Sequence, residues 1–270
     1  MPRDDNSNMA QHMKVVALVS VGRHPVTGRA RRAEYDARAV EMGLSLATAG
    51  DLYLVHAGES SVETEGALRG YLGMGIGGID MLRQPANADI VPALEARLQD
   101  MAPRLVLCGA RSETGEASGL LPFVLAERLG WSLVSGLAQV ESIDGDTMIV
   151  LQALPRGQRR RLKVRLPAVV TVDAAAHAAR QSAYGPARRG DVRQLAAAVT
   201  PDDAARDWRT APAKKRPKRL KIVKAASARD RFKAAAAKAE GGGGQVLTGV
   251  SAQAGAEAIL KLLREEGVLK

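Results

Sequence analysis

A chain of 270 residues with 46% hydrophobic and 25% charged residues has the composition of a folded protein with a sizeable core, which excludes wholesale disorder. One cysteine, Cys108, excludes an internal disulfide, and four scattered histidines, His12, His24, His56 and His177, argue against a Cys/His metal site. The net charge of +10 is concentrated, because residues 180–240 carry 17 Lys/Arg against 6 Asp/Glu whereas residues 1–179 carry 19 against 20.

The polar residues 1–12 are expected to be disordered, and the start has no apolar run of secretory type. KVVALVSV (14–21) is a short, continuous β-branched run, which is how a strand buried on both faces of a parallel sheet reads. Residues 33–48 place Ala37, Val40, Leu44 and Ala47 at helical spacing, and LYLVHAG (52–58) reads as a second strand. The alternation continues with a helical stretch over 62–75, a strand IDML (79–82), a helix over 88–101 with Ile90, Leu94 and Leu98 on one face, and a strand RLVLCGA (104–110). It predicts a doubly wound, mostly parallel, Rossmann-like α/β domain with right-handed crossovers. A helix over 117–130 follows. Short strands then succeed one another without helices from 137 to 174, with Asp144-Gly145 as a hairpin turn, which predicts an antiparallel addition. The expected organisation is thus a disordered stretch 1–12, an α/β domain 13–184, and a basic, extended arm 185–270. That arm closes on a helix with Ile259, Leu260, Leu262 and Leu263 on its apolar face, which a partner subunit is expected to cover. No stretch reaches the roughly 18 apolar residues of a membrane span, and a cytoplasmic protein without membrane insertion is expected.

In an open parallel sheet, ligands bind beyond the carboxyl ends of the strands. Four loops leave those ends: 21–29, 57–61, 81–85 and GARSETGEASG (109–119). In the last, Gly109, Gly115 and Gly119 alternate with Arg111, Ser112, Thr114 and Ser118 just before a helix. Two readings stay open, an anion-binding loop and an ordinary glycine-rich turn, since neither GxGxxG nor a P-loop is present. Catalytic candidates are few. Glu34, Asp36 and Glu41 near a helix start suit a cap or the helix dipole, His24 a surface loop, and Cys108 a buried strand end. No hydrolase is indicated. The run KKRPKRLKIVK (214–224) has almost no aromatic company, so it reads as a solvated extension and nucleic-acid binding is not expected.

Taken together, these segments resemble the electron transfer flavoprotein beta-subunit family from Met13 nearly to the C-terminus. AEYDARAVEMGLSLA is similar to its NPF-D/E-x-A-x-E segment, LRGYLGMGIGGIDML to its LRxALAMGAD stretch, PRLVLCGARS to PDLVLxGxQ, and LAERLGW to LAxxLGWP. LPAVVTVD (166–173) is nearly identical to its LPAVVT-D sequence, and LLREEGVL looks like its C-terminal helix. The resemblance implies an electron-transfer subunit without bond chemistry of its own. Its heterodimeric partner would be an alpha subunit carrying FAD, with a flavin dehydrogenase as donor and a downstream acceptor such as a quinone oxidoreductase. It also implies an AMP site, whose contacts carry over by position to Leu18, Ala33, Glu34, Tyr35, Asp36, Ala57, Gly109, Arg111, Ser112, Thr114, Gly115, Ser118 and Gly119. Arg23 and His24 are implied near the flavin. Two departures stand out. SETGEASG replaces the family's D-D-D-x-N-Q-T-G, which leaves AMP, a second FAD or an empty site open. At the dehydrogenase recognition loop RQSAYGPARRG places Tyr184, Gly185 and Pro186 where the family reads RYASLPNIMKAKKK, with Tyr184 expected to replace an apolar anchor. A nucleotide-binding regulatory module on the same fold, working without flavin, is the alternative.

Overall fold

The computed structural model describes residues 13–47, 51–209, 211, 227, 247–265 and 269, and the chain divides after Arg209 into two units. The expected disorder of residues 1–12 and the basic run 214–224 lie outside the described residues. The first unit begins with β1 (Val15–Leu18), the hairpin of β2 (Val21–Arg23) and β3 (Ala30–Arg32), α1 (Glu34–Leu46), β4 (Leu52–Gly58) and α2 (Val62–Leu72). It continues through β5 (Gly78–Arg83), β6 (Ala88–Asp89), α3 (Val91–Met101), β7 (Leu105–Gly109), α4 (Leu121–Leu129) and β8 (Ser132–Asp144). It ends with β9 (Thr147–Ala153), β10 (Arg159–Arg165), β11 (Ala168–Val172), α5 (Tyr184–Arg189), β12 (Asp191–Leu195), β13 (Thr200–Pro201) and α6 (Asp203–Arg206).

Nine strands form one sheet in the order β10-β9-β8-β11-β7-β1-β4-β5-β12. From β8 to β12 every neighbour is parallel, and β9 and β10 add antiparallel strands beyond β8. The architecture is the doubly wound α/β sheet with an antiparallel addition that the alternation predicts. One assignment needs correcting. LPAVVTVD does not belong to the antiparallel addition: β11 lies between β7 and β8, parallel to both. All five of its residues are buried, so its continuous apolar run carries the same meaning as those of β1 and β7. The long strand β8 makes this possible, because its first residues pair with β11 and the remainder with β9. The described first unit also runs past residue 184, since β12 docks on β5 as a parallel edge strand.

Side-chain alternation distributes the core over both faces. Val15 and Ala17 of β1 pack with Ala37, Ala39, Val40 and Met42 of α1 and Leu68 and Tyr71 of α2. Val16 and Leu18 pack on the other face with Leu94 and Leu98 of α3 and Leu125 of α4. Each fully buried leucine here contributes about 2 kcal/mol through the apolar surface it withdraws from water. From β1 the chain steps outward to β4 and β5, then returns to the other side of β1 as β7. The direction of winding therefore reverses between β1 and β7, and the crevice opens at their carboxyl ends.

In the second unit, α7 (Ala252–Glu265) exposes Ile259, Leu260 and Leu262. Among the described residues no helix is long and apolar enough to cross a membrane.

Candidate functional site

The floor of the crevice is a polar network that joins β1, β7, α1 and α2. Asp36, in the first turn of α1, is 4% exposed and accepts from the Ser20 amide at 2.7 Å, the Ser20 hydroxyl at 2.5 Å and the Gly109 amide at 2.9 Å. Burial pushes its carboxyl above the usual range, and these three donors pull it partly back. Gly109 must be glycine, because a Cβ there would meet the Asp36 Oδ1 at 2.3 Å. The Tyr71 hydroxyl donates to the Ser20 carbonyl at 2.7 Å and accepts from the Ala33 amide at 2.7 Å, with burial holding its proton firmly. Nearby, the buried His56 donates from Nδ1 to the Val19 carbonyl at 2.8 Å, and desolvation lowers its pKa. Cys108 is buried, and burial raises its thiol pKa, so it packs as a small apolar side chain.

Above this floor a second carboxylate meets the same helix. Glu113 accepts from the Arg23 amide at 3.0 Å and from the Glu34 amide, the first of α1, at 2.8 Å. The Arg31 guanidinium reaches both of its oxygens, at 2.9 and 3.1 Å. Ala33 at the N-cap offers no side-chain acceptor, so a residue distant in sequence takes the first free amide of α1. Around Glu113 the loop is tied inward, with the Ser112 hydroxyl on the Thr114 carbonyl and the Thr114 hydroxyl on the Val21 carbonyl, both at 2.9 Å. What remains open is a cavity of about 350 Å3 lined by Glu34, Tyr35, Arg111, Ser112, Glu113 and Ala117.

The thirteen positions expected around a nucleotide therefore separate by depth. Glu34, Tyr35, Arg111 and Ser112 line the cavity. Leu18, Ala33, Asp36 and Gly109 are buried, and Ala57 is half-buried. Thr114 is tied inward, Ser118 accepts from the Leu120 amide ahead of α4, and Gly115 and Gly119 turn the loop with positive φ. The acidic trio near the helix start also divides. Asp36 holds the sheet rather than capping its own helix, Glu34 pairs with Arg38, and Glu41 pairs with Arg180, which lowers its pKa. Sequence reasoning missed Ser20, Arg31, Tyr71 and Glu113. The trace they left is a helix that starts after an alanine, without a capping side chain of its own.

Two exposed features flank the crevice. On the β2–β3 hairpin, Arg23 pairs with Glu63 at 2.7 Å, and the Nδ1 of His24 accepts from the Val26 and Thr27 amides, which places the ring proton of the neutral tautomer on Nε2. Tyr184 opens α5 with 77% of its surface exposed, above the half-buried Gly185 and Pro186. A second cavity, of about 520 Å3, lies between the far half of α1 and β8 and is lined among others by Glu41, Met42, Glu141 and His177. No cluster of three or more potential metal ligands occurs among the described residues.

Residues 27–200 match the electron transfer flavoprotein domain. Over 264 residues, 98% of each chain, the protein is 62% identical to the electron transfer flavoprotein subunit beta of Chromohalobacter salexigens.

Proposed function

The chain belongs to the electron transfer flavoprotein family as a beta subunit, and we propose that it works in a heterodimer whose alpha subunit holds most of one FAD. The heterodimer would carry electrons from a flavin dehydrogenase to an acceptor such as a quinone oxidoreductase, in the cytoplasm, and this chain makes and breaks no bond. When bound, the flavin supplies all of the redox chemistry.

The chain's own contribution is positional and electrostatic. The observation that carries this reading is the β2–β3 hairpin, which presents Arg23 and His24 at the rim of the crevice, Arg23 held by the Gly28 carbonyl and by Glu63 of α2 and His24 by the Thr27 amide. The hairpin's arginines, Arg23, Arg29, Arg31 and Arg32, favour the negative charge that reduction brings, and a pre-ordered hairpin loses little freedom on docking. In α7 the exposed Ile259, Leu260 and Leu262 give an alpha subunit an apolar strip to cover. Tyr184, at the start of α5, supplies the dehydrogenase with an aromatic anchor of the kind that dominates small interfaces.

Of the occupants open for the crevice, AMP does not fit the residues present. Glu34 and Glu113 line the cavity beside Arg111, and Arg31 and the Glu34 amide already hold Glu113. The pyrophosphate of a second FAD would meet the same two carboxylates.

The test is to purify the chain with its alpha subunit, measure released flavin, and follow reduction by the cognate dehydrogenase. About one FAD per heterodimer is expected, and Tyr184→Ala should retain that flavin while slowing its reduction about tenfold, as loss of an anchor does. A wild-type preparation with no flavin-bearing complex would overturn the reading in favour of a regulatory module. Unchanged reduction in Tyr184→Ala would remove Tyr184 as the anchor.

A further inference from the structure

We infer that the Glu113 carboxylate stands in for a bound phosphate at the amino terminus of α1, so that the crevice of this chain excludes nucleoside monophosphates. The inference rests on the family reading, since that reading is what places a nucleotide at this crevice. Its basis is the completeness of the seat. Each carboxylate oxygen takes two donors, Oε2 the Arg23 amide and Arg31, Oε1 the Glu34 amide and Arg31. A backbone amide at a helix start, a hairpin amide and a guanidinium nitrogen that bridges two oxygens are donors of the kind that a phosphate uses elsewhere. Here an internal anion already satisfies it.

The packing fits that carboxylate. A Cβ on Gly22 would lie 2.8 Å from the Glu113 Oε2 and 2.7 Å from the Ala33 Cα, so β2, α1 and the loop close around the carboxyl group. The hydroxyls of Ser112 and Thr114 are not free to replace these donors, because both are tied to main-chain carbonyls. A dianion in the remaining cavity would face Glu34 and Glu113, with Arg111 the one cation among the residues that line it, and like charges this close repel. The loop is therefore held in place by its own side chain, where a phosphate-binding loop is ordered by its ligand.

Two measurements on the heterodimer test this. Nucleotides released by acid and separated by chromatography should show about one FAD and less than about a tenth of an equivalent of AMP, a ratio set by site affinity. An AMP content near that of FAD would overturn the inference while leaving the family reading intact, whereas absence of FAD would count against the family reading. Calorimetric titration with AMP should then show binding at least about tenfold tighter in Glu113→Ala than in the wild type, with Glu113→Gln, which retains the shape, also tightening. Adenosine, titrated alongside, should not discriminate among the three. If AMP affinity is the same in wild type and both variants, or adenosine gains as much as AMP, Glu113 is not acting as the phosphate's substitute.

Discussion

Asp36 and Glu113 meet the same end of α1, and they differ in depth. Asp36 is sealed beneath the crevice, with its oxygens on the ends of β1 and β7, and burial raises its pKa. Glu113 lies on top, its side chain still 25% exposed, and is matched by Arg31 at 34%. The deeper carboxylate fixes the two strands between which the winding reverses, and the shallower one fixes the loop that follows β7. A polar group buried without alternatives is a structural element, and one at the rim is a determinant of what may bind there.

The sharpest way to break this contrast is Asp36→Ala. It leaves the Ser20 and Gly109 amides buried without acceptors and should cost about 3 kcal/mol in denaturant unfolding. The effect is also pH-dependent. Because the folded-state pKa of Asp36 is raised above 3.8, its protonation favours the fold. The wild type should gain on Asp36→Asn as pH falls through the folded value toward 3.8, and no such gain would place the charge elsewhere. Tyr71→Phe comes next, since it orphans the Ala33 amide and a Ser20 carbonyl bond at the cost of about 2 kcal/mol, read from the shift of the thermal midpoint. Smallest is Glu113→Ala, which removes a partly exposed pair and a helix cap and should cost about 1 kcal/mol in the same unfolding assay. A loss as large as that from Asp36→Ala would merge the two carboxylates into one structural network and erase the distinction.

The sheet was largely legible because burial on two faces writes itself as continuous apolar runs. Val15–Leu18 and Leu105–Gly109 both read that way. Ala168–Val172 carries the same run, yet its lack of a preceding helix drew it into the antiparallel addition. The chain reaches it from β10 through Leu166 and Pro167 alone, a path that no crossover pattern announces. Asp191–Leu195 was harder still, because an edge strand with alternating polar residues resembles an arm. At the crevice the structure brings the loop 109–119 against the helix start at 33–36, a contact that neither segment signals on its own. The glycines and hydroxyls of the loop drew attention as ligand donors, while Glu113 between them went unread.

By itself the sequence determined where strands and helices alternate, which faces they bury, and the family resemblance, because periodicity and motif order are local properties of a chain. Only the tertiary structure decided which acceptor meets which amide. Glu113 lies 79 residues from the Glu34 amide, Asp36 lies 73 from Gly109, and Tyr71 lies 38 from Ala33. No local code selects such partners. Pairing of β1 with β7 brings their ends together, and the desolvation of their polar groups then requires that each be matched by whatever side chain the fold delivers.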